Sequence, residues 1–287
     1  MALPAMALLA LFLIWPVFVA ADYSTTSASG YGDKQPVGIQ NYVRAVGDSD
    51  LLAAFGRNIV FAVIVVTASI AVGFVLSYLL FIRVSGWRPL QILLMVPYIL
   101  PVVVTALLWQ FMLEPTNGLV NTALRSIGLG GLAGPWLSGE STALGSVSVV
   151  QIWVTAPFAM LLIFGAMVAL PEDVLEAAAL DGAGHLAKMF RVVLPMVRPT
   201  ILLVAFVLTI QLFRSFDLVY LLDKGGPIGA TTIATLYVFV QGFVNNDYGY
   251  ANAVGIVFGI VLGAFALLPT LLRRIAARRS VERVDWE

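Results

Sequence analysis

Apolar residues fall along the chain in long blocks, each bounded by shorter stretches rich in charge, Gly, Ser and Pro. A bilayer core of about 30 Å needs about 20 mostly apolar residues per helical span, because every backbone N–H and C=O must find its partner within the segment. Six stretches meet this requirement: Leu3–Ala20, Asn58–Ile82, Leu90–Leu113, Ser146–Leu170, Thr200–Leu222 and Ala251–Leu272. The pattern predicts six transmembrane helices within one domain, 1–287. The first stretch also fits a cleaved signal peptide, with small residues at Ala20 and Ala21, although no Lys or Arg precedes it.

Composition agrees with that reading. Of 287 residues 60% are hydrophobic and 11% charged, and the mean hydropathy is +0.96. This is more apolar surface than one water-soluble core can hide, so the chain is predicted to be an all-α, polytopic membrane protein. A formal net charge of zero argues against nucleic acid as a partner, since neutralising phosphates needs a basic surface. The absence of cysteine excludes disulfides and zinc-thiolate sites, and a single histidine, His185, excludes a multi-histidine metal centre.

Lys and Arg in the short connections set the orientation. Arg83, Arg88, Lys188, Arg191, Arg198, Arg273, Arg274, Arg278, Arg279 and Arg283 fall on one side; Lys34, Arg44, Arg57, Arg125 and Lys224 fall on the other, and Arg214 lies inside a span. The richer side is expected to be cytoplasmic, with both termini there. Segments 21–57, 114–145 and 223–250 are then outside, where "TSASGYGDKQPVG" and "GLGGLAGPWLSG" read as ordered loops. No Gly-Lys dipeptide occurs, so a phosphate-cradling P-loop is absent and ATP-driven work falls to another polypeptide. His185 has no serine nucleophile beside it, and Asp217 is the only acid well inside a span. The inventory therefore predicts no enzyme and no catalytic residue.

One cytoplasmic stretch stands apart. Residues 171–195 open on Pro171, followed by Glu172, Asp173 and Glu176 near the positive end of a helix dipole. Ala177, Ala178 and Ala179 favour the helix and keep its surface low. Gly182 and Gly184 permit a bend, "HLAKMFRVVL" resumes the helix, and Pro195 is expected to end it. A helix, a kink and a second helix facing the cytoplasm suit either a groove on another protein or an ordinary amphipathic connection.

The residues Glu176-Ala177-Ala178, Asp181-Gly182-Ala183, Phe190 and Leu194-Pro195 resemble the "EAA" signature of permease subunits in bacterial ATP-binding-cassette importers. Around them "GIQNY" at 38–42, Asn58, "PYILP" at 97–101, Trp109, "WVTAPF" at 153–158, "FDLVYLLDKGGP" at 216–227 and "YGYANAVG" at 248–255 are similar to the order in the carbohydrate-type branch. The resemblance implies the type I importer permease fold in the bacterial inner membrane. It also implies a solute-binding protein outside, a second homologous permease, and two ATPase subunits that carry ATP and Mg, this chain holding no cofactor or metal of its own. Glu176, Ala177, Ala178, Asp181 and Gly182 would form the element that couples ATPase closure to opening of the pathway.

Residues suited to holding a sugar are Trp109, Gln110, Gln151, Trp153, Gln211, Arg214, Asp217 and Tyr220. The four on the fifth span recur at threes and are expected on one broad helix face. Trp109 and Trp153 equally suit packing or an interface belt. Arg214 and Asp217, on adjacent turns, are expected to neutralise each other or to line the pathway. The set fits a sugar or oligosaccharide and also a glycerophosphodiester or other polyol-like solute. An ion-coupled secondary transporter would more often show intramembrane acids and discontinuous helices, which the sequence does not suggest.

Overall fold

The computed structural model describes residues 3–30 and 34–284, with side chains for 6–30 and 34–267. Tyr31, Gly32 and Asp33 of the first outer segment, and the side chains of Arg273, Arg274, Arg278, Arg279 and Arg283, lie outside that description. In chain order the helices are α1 (3–24: Leu3–Leu9, a π-helical stretch Ala10–Ile14, and Trp15–Ser24), α2 (Gln40–Gly47), α3 (Ser49–Phe81), α4 (Trp87–Ile99), α5 (Val102–Met112), α6 (Leu119–Ser126), α7 (Ala143–Val168), α8 (Glu172–Leu180), α9 (His185–Phe213), α10 (Asp217–Asp223), α11 (Ala234–Val244) and α12 (Tyr248–Val284). No strand forms among the described residues, and the fold is all-α as expected.

Among the described residues five helices are long and apolar enough to cross a bilayer: Met6–Ser24, α3, α7, α9 and the Tyr248–Leu267 part of α12. The expected third span is not one rod. It is the pair α4 and α5, bent by 98°. Pro101 explains the break: its ring drives Leu100 into the extended region (φ −65, ψ 137) and withholds the N–H that would continue the ladder.

The fifth span also departs from expectation. Pro195 does not end a helix; α9 runs through it from His185 to Phe213, with Lys188–Val193 wound as a π-helix just before the proline. The wider π turn re-pairs the carbonyls that Pro195 cannot serve, so the helix survives. It stops instead at Arg214, and α10 starts afresh at Asp217, so the expected continuous span to Leu222 is two helices. Discontinuous helices are thus present, and their supposed absence does not distinguish this chain from a secondary transporter.

The chain divides into two compact units. One comprises residues 1–54 and 234–287, the other 55–233. In the first, α12 packs on α1 and α2 through motifs far apart in sequence. Asn41 of "GIQNY" is buried and its amide donates to the Ser24 and Thr26 carbonyls, both at 2.9 Å. Gly249 of "YGYANAVG" lies against the same turn: a Cβ there would sit 2.1 Å from the Thr26 carbonyl oxygen. Only glycine fits. Beside it, Asp48 Oδ2 accepts the phenolic O–H of Tyr237 at 2.6 Å and that of Tyr250 at 2.5 Å. Burial works against the Asp48 charge, but those phenols and the Leu51 and Asp50 N–H groups together hold its carboxyl below the usual range. Arg44 pairs with Asp247 at 2.6 Å and stacks over the Tyr250 ring. Part of each outer segment is therefore helical rather than loop, as α2, α6 and α11 show.

In the second unit, α3 and α7 approach backbone to backbone. A Cβ on Gly73 would meet the Met160 nitrogen at 2.8 Å, Ser77 donates to the Met160 carbonyl at 2.8 Å, and Ser69 and Thr155 share a hydrogen bond of 2.7 Å. Small residues and hydroxyls do here what the hydrophobic effect cannot do inside a bilayer. In the 114–145 connection, buried Asn121 of α6 pins the glycine-rich stretch 128–139. Its amide donates to the Pro115 and Gly134 carbonyls, and its oxygen accepts from the Trp136 indole at 2.7 Å.

Candidate functional site

Helix α8 and the turn after it are built from local signals. Pro171 stands at the N-cap in extended geometry, one position ahead of the first turn expected for it, and Glu172 and Asp173 occupy that turn. At the other end Asp181 is the C-cap and Gly182 adopts φ +76, the left-handed conformation that closes a helix most readily with glycine. The Gly182 N–H reaches the Ala179 carbonyl at 3.1 Å and the Ala183 N–H reaches Ala178 at 3.0 Å, the paired bonds of a Schellman motif. Gly184 then caps α9.

No residue of α8 is buried. Glu176, Ala177, Asp181 and Gly182 are exposed and Ala178 is half-buried. Leu180 is 89% exposed and Leu186 73%, one on each side of the turn, an arrangement that water disfavours unless something covers it. The turn is anchored from α3: the Tyr78 hydroxyl donates to the His185 carbonyl at 2.9 Å, and Phe74 meets Phe190 with ring centroids 6.3 Å apart. An exposed helix and turn are thereby tied to a helix of the bundle. His185 itself is exposed, as a solvated helix residue should be.

The candidate solute residues separate into groups. Gln151, Gln211, Arg214 and Asp217 come together around a recess of about 270 Å³, with Thr105, Thr155 and Ser215 on its wall. Gln151 and Thr105 are nine-tenths or more buried, yet Gln151 Oε1 and Thr105 Oγ1 meet no hydrogen-bond partner. Arg214 and Asp217 are both exposed, and the ion pairs among the described residues are Lys34–Asp22 and Arg44–Asp247. The expected self-neutralising couple does not form, because the helix ends at Arg214 and restarts at Asp217, so the two share no continuous face.

The other candidates lie elsewhere. Trp109 and Trp153 meet edge to face at 5.6 Å and line an apolar recess of about 530 Å³. Gln110 donates to the Leu221 and Leu222 carbonyls at the end of α10, at 2.7 and 2.9 Å. Tyr220 stacks on Phe216 at 5.2 Å and does not line the polar recess. Thr105 was not legible in advance: a lone threonine in an apolar run carries no signal until the fold sets it opposite Gln151. Beyond α10, Asp223 accepts from the Gly225 N–H and the Thr231 hydroxyl; burial pushes its carboxyl up, against the pull of those donors.

Known proteins give this geometry a context. The trehalose/maltose transport system permease MalF of Thermococcus litoralis is 28% identical over 270 residues, spanning 93% of this chain and 90% of that one. The sn-glycerol-3-phosphate transport system permease UgpA of Yersinia pestis is 28% identical over 264 residues, spanning 91% and 88%. A probable ABC transporter permease of Bacillus subtilis, YurN, is 31% identical over 90% of this chain and 89% of its own length. The fold matches a chain in the crystal structure of a bacterial alginate ABC transporter bound to a periplasmic protein carrying an alginate pentasaccharide, with a TM-score of 0.80 at 21% identity over 95% of this chain and 92% of that one. The description "binding-protein-dependent transport system inner membrane component" covers residues 70–282, and the chain belongs to that family of multi-pass inner-membrane transport subunits.

Proposed function

We propose that the chain is one permease subunit of an ATP-driven importer for a sugar or oligosaccharide handed over by an external binding protein. The polar recess carries this reading: it gathers neutral amides, hydroxyls and two accessible opposite charges, the groups that hydrogen-bond a polyhydroxylated solute. It fits the trehalose/maltose role of the MalF relative and the alginate cargo of the structural neighbour. ATP and Mg would be handled by two ATPase subunits, one of them docked on α8 and the 180–186 turn, where exposed leucines and the acids Glu176 and Asp181 suit a partially apolar groove with a basic rim. A second, homologous permease would complete the pathway.

Purified complex in proteoliposomes should accumulate radiolabelled maltose or trehalose only when ATP is inside and the binding protein outside. Absence of uptake for every neutral sugar offered would overturn the carbohydrate assignment. Arg214 favours one second reading, an anionic polyol ester such as glycerol 3-phosphate, the solute named for UgpA. Competition between the two solutes in the same vesicles decides between them.

Orientation follows from the charge bias. A cysteine placed at Ser141 should react with an impermeant thiol reagent added outside intact cells, whereas one at Ala187 should react only after the membrane is opened. The reverse labelling would invert the placement of α8, and with it the coupling role.

A further inference from the structure

At the turn joining α3 to α4, two arginines converge on one tryptophan. The guanidinium carbon of Arg83 lies 5.9 Å from the Trp87 ring centroid and that of Arg88 lies 5.5 Å from it. Both arginines are exposed and neither is in the ion pairs found among the described residues. Arg83 holds φ +54, a backbone conformation that residues other than glycine seldom take. The charge sits at the N-terminus of the 13-residue α4, whose first turn contains no acid and whose cap makes no side-chain hydrogen bond. The result is a concentrated positive site with no ion-pair partner among the described residues.

Directly along the same helix runs the apolar recess of about 530 Å³. Leu93, Leu94 and Pro97 of α4 line it together with Val72 of α3 and with Trp109 and Trp153. Leu93 is 67% exposed and Val72 43%, so the recess opens at the surface of the unit. Seven residues separate Trp87 from Leu94 and ten separate it from Pro97, which at about 1.5 Å per helical residue places the groove about 10–15 Å from the arginines. That is the depth of one leaflet of a hydrocarbon core about 30 Å thick. The turn lies at the same end of the unit as the coupling segment, since Tyr78 near the end of α3 bonds to His185.

We propose that this is a binding site for one anionic phospholipid, with its phosphate between Arg83 and Arg88 over the Trp87 face and an acyl chain in the groove lined by Leu94, Pro97 and Val72. Charge complementarity selects the headgroup: juxtamembrane guanidiniums attract anionic lipid and leave zwitterionic lipid largely indifferent. The apolar recess on the same helix selects a lipid over a soluble anion, which would use the arginines and leave the recess empty. The site stands apart from the polar recess and does not depend on which solute is carried.

The test uses the purified complex reconstituted in phosphatidylcholine vesicles. Phosphatidylglycerol or phosphatidylcholine brominated midway along the acyl chain is titrated in, and quenching is read as the difference between the native chain and the chain carrying Trp109→Phe with Trp153→Phe, which isolates the two groove tryptophans. Brominated phosphatidylglycerol should quench with a preference on the order of tenfold at low salt, and the double substitution Arg83→Gln with Arg88→Gln should reduce it to within about twofold. Equal quenching by the two lipids in the native chain, the result expected if a second permease covers the groove, would overturn the proposal. So would loss of the preference when millimolar inorganic phosphate is added, which would mark a soluble-anion site. The native-chain comparison stands by itself should the double variant fail to insert.

Discussion

Gly182→Val is expected to lower solute uptake by at least about tenfold while membrane insertion and thermal stability stay near wild type. The cost is conformational. Gly182 sits at φ +76, and an added Cβ would meet no atom within 4 Å, so nothing clashes; the penalty is that of forcing a β-branched residue into the left-handed region, of order 1–3 kcal/mol. Because α8 buries none of its residues, that strain is not held by a surrounding core. It is relieved by re-aiming α8 against α9, which loses the two Schellman bonds from Gly182 and Ala183. Uptake in proteoliposomes should therefore fall while the ATPase either hydrolyses without transport or elutes separately.

A graded series makes the argument specific to the backbone. Gly182→Asn, which tolerates the left-handed region, should retain most transport; Gly182→Ala should be intermediate; Gly182→Val should be worst. Gly184 is the internal control, because its φ of −68 is accessible to any residue and it too has open space around it. Gly184→Ala should leave transport unchanged. If the two glycines respond alike, or if Gly182→Val transports normally with its ATPase attached, the 176–182 segment is not the coupling element.

The helix and turn at 172–184 were legible in the sequence because every signal that shapes them is local. Proline and acids at the start, alanines in the middle and a glycine at the C′ position act within two turns of helix. The spans were legible because the bilayer imposes a length. The bend at Pro101 had a visible cause in the prolines of "PYILP". The break at Arg214 had none, since no glycine or proline marks it, and the same break misplaced Tyr220 and dissolved the presumed Arg214–Asp217 couple. What joins distant segments stayed hidden: Asp48 is 189 residues from Tyr237 and 202 from Tyr250. The motifs "GIQNY" and "YGYANAVG" could be recognised in order, but only the fold shows that one supplies an amide and the other a missing side chain to the same turn.

The polar recess yields the last expectation, on Gln151 and Thr105. A buried polar atom without a partner costs about 1–3 kcal/mol relative to one that is satisfied. Gln151 Oε1 and Thr105 Oγ1 are in that condition, whereas Thr155 on the same wall already shares bonds with Ser69 and the Gln151 carbonyl. Residues that hold the fold together would lose stability when replaced by apolar isosteres. Residues kept polar for a passing solute would do the opposite. The double variant Gln151→Leu with Thr105→Val should thus be as stable as wild type or more so, by thermal unfolding in detergent. Uptake should nevertheless fall about tenfold, since each lost hydrogen bond to a neutral solute removes about 1 kcal/mol of barrier stabilisation, with some coupling expected between groups on one wall. ATP hydrolysis stimulated by the loaded binding protein should persist, because α8 and its turn are untouched. Unchanged uptake would mean that bound water alone satisfies these atoms, and reduced stability would make them packing residues; either result removes the recess from the solute pathway.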